Sequence, residues 1–178
     1  MSRVDVWWAV AGGWAIDLWL GEQTREHHDV EVVVRRDDQT TVWDALHDDW
    51  ELRCLDPPGG EWQPWKRTNR IELPSFQLEA RSPALEFDIF LESTVDDVWL
   101  FRRDHRVRRA LVELTAMRSG IPVVRPEVQL LYMAKSEEPK NEHDFTVASP
   151  TLDDASRTWL RRALTIVDSQ HQWLPRLP

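Results

Sequence analysis

The sequence predicts an α/β (α+β) architecture, a mixed β-sheet flanked by helices with a C-terminal helical region, on three observations. Apolar or alternating runs at Val4–Val10, Val30–Val34 and Leu85–Glu92 are separated by helical and loop stretches in the first 115 residues. A glycine pair, Gly12-Gly13, leads directly from the first run into a helical stretch. Beyond Gly120-Ile-Pro122 the pattern turns helical, which places a boundary at about residue 116 and divides the chain into 1–115 and 116–178.

Each element has a local reason. Val4–Val10 is β-branched and apolar and reads as a strand with no helix before it. Trp14–Leu20 is a short helix, because Ile16, Trp19 and Leu20 share a face and Gly21 supplies a C-cap. Val30–Val34 is a strand by β-propensity, opened by alternating acidic and apolar positions from Asp29. Asp38–Trp50 reads as an amphipathic helix through Val42, Ala45, Leu46 and Trp50, and Asp56-Pro-Pro-Gly-Gly60 as a loop. Ile71–Leu73, Phe76–Glu79 and Leu85–Glu92 are the remaining strands. Pro126–Lys135 opens with proline at a helix start; Asn141–Val147 and Asp153–Asp168 follow as helices, the last with two acids in its first turn.

Composition narrows the class. A chain of 178 residues suits one domain, or an α/β domain with a smaller helical appendage. That size buries roughly 70% of its unfolded surface, so a core forms without disulfides. The single cysteine, Cys54, excludes a disulfide framework and Cys-based zinc sites and fits a reducing cytosol. No apolar run approaches the ~20 residues of a membrane helix, and Met1–Asp5 is not a signal peptide. A net charge of −9 argues against nonspecific nucleic-acid binding and is compatible with a cationic partner. Arginine outnumbers lysine 19 to 3, which makes Lys66, Lys135 and Lys140 easy to single out; 11 tryptophans, mostly spread singly, read first as packing.

The chemistry concentrates around the glycine pair. Backbone N–H groups of two glycines at a helix N-terminus approach a phosphate closely, and the helix end favours the anion. Asp29 and Glu31, two apart on extended backbone, point to one face about 6.6 Å apart. Glu86, Asp88 and Glu92 share a face of a later strand, with Leu85, Phe87, Ile89 and Leu91 opposite. On a neighbouring strand about 4.8 Å away, Asp88 completes a cluster with Asp29 and Glu31. Such a cluster holds two metals and clamps the oxygens of an in-line displacement. Each piece alone has a plainer reading, a turn or a half-solvated strand, and only their order is specific.

These residues carry a resemblance. Gly12-Gly-Trp-Ala-Ile-Asp-Leu-Trp-Leu-Gly21 followed by Thr24-Arg-Glu-His-His-Asp-Val-Glu31 resembles the nucleotidyltransferase signature of the DNA polymerase β superfamily. The branch is the aminoglycoside-2''-adenylyltransferase-like one, which modifies antibiotics. Weaker patches follow at Trp99–Asp104, Ile121–Tyr132, Pro139–Phe145, Trp159-Leu160 and His171–Leu174. The resemblance implies a nucleotidyltransferase fold, with catalysis in 1–115. It implies Mg2+-dependent transfer of a nucleoside monophosphate from an NTP, with ATP the leading donor, to a hydroxyl of a small, aminoglycoside-like acceptor. By the same resemblance Gly12 and Gly13 cradle the triphosphate, Asp29 and Glu31 hold metal, Asp88 is a third ligand or the base, and Lys140 meets phosphate. The chain departs from the branch at Glu31, where many members have Asp, at Met133, where Lys is usual, and at Asn141, where Asp is expected.

Arg25 has two candidate partners, Asp17 and a phosphate. One of His27 and His28 packs or bonds the turn beside the carboxylates; a His-Asp phosphohydrolase site and a zinc site are both disfavoured. Arg102, Arg103, Arg106, Arg108 and Arg109 form a basic cluster, read first as a solvated face and second as an RNA contact. Trp62 and Trp65 are candidates to stack on a base or sugar, and His171-Gln-Trp173 docks the tail. Two alternatives accompany the main expectation: a toxin-like transferase acting on tRNA or protein, and a catalytically inactive nucleotide-binding module of the same fold.

Overall fold

The computed structural model describes residues 5–177, so the start of the expected Val4–Val10 strand lies outside the described residues. The first strand is β1 (Trp8–Ala11), and helix α1 (Gly12–Leu20) begins at its very next residue. Gly21 closes α1 in the left-handed conformation, φ 82°, with its N–H on the Asp17 carbonyl. β2 (Glu31–Arg35) runs through a 3-10 turn, Arg36–Asp38, into α2 (Gln39–Leu46). The helix expected to reach Trp50 stops at Leu46, since Asp48 and Asp49 would put negative charge at the negative end of its dipole.

β3 (Glu51–Leu55), β4 (Trp62–Pro64), β5 (Gln77–Arg81) and β6 (Glu86–Val95) follow. Ile71–Leu73 is not a strand. The Ile71 N–H donates to Gln39 Oε1 at 2.7 Å and its carbonyl accepts from Arg36 and Gln39, so its backbone is satisfied by side chains. β7 (Val98–Leu100) and β8 (Arg108–Ala110) extend the far end of β6. β9 (Thr115–Arg118) and β10 (Ile121–Val124) form a hairpin whose turn residues, Ser119 and Gly120, both have positive φ. Helices α3 (Pro126–Met133), α4 (Pro139–Ala148) and α5 (Asp154–Val167) complete the chain.

The main sheet has the order β4-β3-β5-β6-β2-β1-β10-β9. It is mixed: β2 runs parallel to β6 and β1 parallel to β10, while the other neighbours in this order are antiparallel. The chain from residue 116 onward is therefore not helices alone, because three of the four residues of β9 and all of β10 lie there. These four-residue strands contain Arg, Met and Pro and lack the long β-branched signal of β2.

β2 is covered on both faces, which explains its unbroken valine run. Val33 belongs to the core under α1, α3, α4, α5 and the tail, with Trp99, Phe101, Phe145 and Trp173. Val32 and Val34 belong to the core under α2, with Leu78, Ile89 and Trp65. The tail docks as expected: Trp173 stacks on Phe145 at 4.3 Å and donates to Glu142 at 2.8 Å. Among the described residues no helix is long and apolar enough to cross a membrane.

Candidate active site

The β1–α1 junction sets the centre of the site. Gly12 has φ 65°, and a Cβ there would collide with the Glu31 carboxylate; a Cβ on Gly13 would collide with Arg25 and His27. The pair is thus needed twice, for backbone conformation and for the room that charged side chains occupy beside it. The Gly12 N–H is already taken by Gln129 Oε1 of α3 at 3.0 Å, so this glycine offers space more than a free donor.

Register brings the acids together. Glu31 on β2 lies beside Asp88 on parallel β6, and the Asp88 N–H donates to the Val30 carbonyl at 2.9 Å. Burial, then the charges of Asp29 and Asp88, push Glu31 up to about 7, against the pull of Lys140 and Arg102. Burial and Asp29 push Asp88 up to about 6, and a 3.2 Å hydrogen bond from Gln77 opposes this. The expected cage is nevertheless not assembled: among the described residues no three His, Cys, Asp or Glu side chains gather as metal ligands. Glu31, with its longer arm, lies against Gly12, and Asp88 accepts a hydrogen bond from Gln77 of β5.

A cleft of about 360 Å³ opens over Asp29 and Glu31, lined at this end also by Gly12, Gly13, Arg25 and Lys140; Gln77 lines it, and its partner Asp88 lies just outside the lining. Its other end is walled by Phe76, Phe90, Glu92, Arg102 and Tyr132. Lys140 reaches the cleft with its ammonium 3.2 Å from Glu138, and Lys135 lines the same wall. Burial is the first cause of both elevations and neighbouring carboxylates the second, so a divalent cation beside Asp29 and Glu31 would favour their ionised forms. Mg2+ asks for only one or two carboxylates beside phosphate and water, so Asp29 and Glu31 suit it as a donor set.

Several expectations change. Arg25 does not pair with Asp17: while lining the cleft, its Nε and Nη2 donate to both oxygens of buried Asp144, each at 2.8 Å. Asp17 instead meets His27 Nε2 at 2.5 Å and the Thr24 hydroxyl at 2.7 Å, and His27 leans on Trp14. His27 is thus the histidine that ties down the turn. Asn141 donates to the carbonyls of Met133 and Ser136 and holds the α3–α4 turn. The basic cluster disperses, with Arg106 on Asp104, Arg109 on Glu113 and Glu127, and Arg102 and Arg103 in the cleft wall. Trp62 and Trp65 lie away from the cleft; Trp65 is buried with its N–H on the Asn69 carbonyl, and Trp62 sits under Arg53.

Gln129 and Tyr132 were missed. Their signal was present: two polar side chains three apart share a face of an otherwise apolar helix.

Residues 1–62 match the model of the aminoglycoside-2''-adenylyltransferase family. A search of curated proteins finds no match. The solution structure of the antibiotic-resistance factor ANT(2'')-Ia is similar at a TM-score of 0.61 and 12% identity, covering 98% of this chain and 89% of that one. The crystal structure of ANT(2'')-Ia with adenylyl-2''-tobramycin is similar at 0.59 and 14% identity, covering 93% and 91%. The lincosamide antibiotic adenylyltransferase LnuA, lincomycin-bound, is similar at 0.57 and 17% identity, covering 85% and 90%. The chain has the fold of these nucleotidyltransferases.

Proposed function

We propose that this chain, a nucleotidyltransferase by fold whose first third matches the aminoglycoside-2''-adenylyltransferase model, moves a nucleoside monophosphate from a triphosphate onto a hydroxyl of a small antibiotic-like acceptor. The observation that carries this reading is the placing of Asp29, Glu31 and Asp88 in one electrostatic field beside the Gly12-Gly13 start of α1. ATP is the leading donor. An aminoglycoside is the leading acceptor by the match of residues 1–62, and Asp29, Glu31, Glu92 and Glu138 of the cleft, set among five cationic side chains, offer acceptors for its ammonium and hydroxyl groups.

Asp29 and Glu31 would hold magnesium, which would supply charge neutralisation for the phosphates. Gly13 and the following N–H groups of α1 face the phosphate chain, with Gly12 leaving room. Lys140 contributes a mobile positive charge at the same end. The acceptor oxygen attacks the α-phosphorus, the bond to pyrophosphate breaks, and Asp88 takes the hydroxyl proton. Gln77 holds Asp88 in place for this, and burial makes its carboxylate a stronger base than an exposed one. Arg25 keeps the loop of Asp29 against α4 through Asp144.

Calorimetric binding of each ribonucleoside triphosphate, with and without Mg2+, to the wild type and Asp29→Asn tests the reading. Magnesium-dependent binding that Asp29→Asn weakens at least tenfold is expected, and an acceptor screen follows. Absence of triphosphate binding sinks the assignment.

A further inference from the structure

The aromatic end of the cleft holds a pair of unmet groups. Glu92 is 2% exposed, and its Oε2 accepts from Trp99 Nε1 at 2.6 Å and from the Tyr132 hydroxyl at 2.7 Å. Its Oε1 has no hydrogen-bond partner. The nearest cation is Arg102 Nη1 at 3.6 Å, beyond hydrogen-bond reach. Arg102 itself rests on the rings of Phe76 at 4.1 Å and Tyr132 at 4.4 Å, which fix the guanidinium plane.

A pair whose task is structural closes up, as Arg25 and Asp144 do with two bonds of 2.8 Å. Here the buried Glu92 Oε1 is left without a partner with the Arg102 guanidinium 3.6 Å away, and both residues line the cleft. Together they are neutral, which disfavours a lone ammonium or phosphate. A hydroxyl satisfies both, because it accepts from Arg102 and donates to Glu92. Phe76 and Phe90 beside them offer an apolar surface for the C–H face of a sugar ring.

We infer that Glu92 and Arg102 form a sugar-hydroxyl subsite, with Phe76 and Phe90 as its wall. The inference rests on the transferase reading, which supplies a sugar-bearing donor and acceptor. Glu92 lies four residues along β6 from Asp88, roughly 13 Å at the rise of a strand. That span places the bound hydroxyl on a ring of the acceptor remote from the one that reacts. The ribose of the nucleotide is the other source of the same chemistry.

Titration of the full chain with tobramycin, and with ATP and 2′,3′-dideoxy-ATP in Mg2+, tests this in the wild type, Glu92→Gln and Arg102→Lys. Glu92→Gln retains one oxygen for Trp99 and Tyr132, and Arg102→Lys retains the charge while losing the planar fork. Both variants are expected to bind tobramycin about tenfold more weakly or worse, with equal treatment of the two nucleotides. A wild-type preference for ATP over its dideoxy analogue that vanishes in both variants assigns the subsite to ribose. The proposal falls if variants with wild-type melting curves bind every ligand as the wild type does. It also falls if the wild type neither binds tobramycin nor distinguishes the two nucleotides. If Glu92→Gln does not fold, Arg102→Lys decides. A wild type that binds tobramycin but no ATP overturns the transferase reading and leaves the subsite standing.

Discussion

Gly12 bears two demands at once, a left-handed backbone and space for the Glu31 carboxylate. Gly12→Ala therefore costs about 1–3 kcal/mol of folding stability from backbone strain. It also displaces Glu31, so urea denaturation should show a lower midpoint and calorimetry a loss of triphosphate binding. Asp144 is likewise a single residue with reach, since it holds both donating nitrogens of Arg25 from a fully buried position. Asp144→Asn should cost about 2 kcal/mol, because charge-assisted bonds are replaced by weaker ones in a buried site. The same change should raise the KM for the triphosphate more than it lowers kcat, as Arg25 touches the loop of Asp29 and not the reacting atoms. At this scale the sequence was legible where register decides: Glu31 pairs with Asp88 across β2 and β6, whereas Asp29 lies just before β2, outside the period-two pattern. The partner of Arg25 was not legible, since Asp144 lies 119 residues away on a helix whose docking no local pattern encodes.

Among the elements, α5 shows how a terminus is held. Asp153 accepts the Ser156 N–H at 2.7 Å as the helix N-cap, with Arg125 and Arg109 nearby. The Ser156 hydrogen bonds keep its pKa below the ordinary carboxylate value. A depressed folded pKa means the cap's stabilisation is complete above the unfolded value of about 3.9 and is lost as pH falls through the folded one. Asp153→Ala should therefore melt a few degrees below the wild type at pH 7. The gap should narrow below pH 4 in a pH series of melting curves. Helices with caps and prolines at their starts were readable from sequence for this reason. The three- and four-residue strands β4, β7, β8, β9 and β10 were not, because pairing partners rather than propensity make them strands. The shortened α2 shows the converse, an apolar periodicity ended by two acids.

For the molecule as a whole, the sheet joins what composition divides. β10, from beyond residue 116, pairs with β1, and the larger core draws on Ala9 and Ile16 as much as on Leu130 and Leu160. A fragment of residues 1–115 should consequently lack a cooperative melting transition and dispersed NMR amide signals, whereas the full chain shows both. A folded, monomeric fragment with a sharp transition would restore the division at about residue 116. The fold class, the glycine pair and the order of acids were legible because they are written in short segments. The cleft was not, since its far wall is assembled from β6, the Arg102 loop and α3.

The pairing of Val10 with Val123 also has a consequence for biosynthesis. β1 leaves the ribosome before β10, and its second edge has no partner until β10 emerges behind it. Until then the emerging chain carries an open strand edge, Trp-Ala-Val-Ala, of the kind that pairs with neighbours on a crowded polysome. Folding is in this sense completed from the C-terminal side. Pausing translation before β10 has left the exit tunnel should expose the chain to aggregation and to holdase chaperones, and pausing once β10 and α3 have emerged should not.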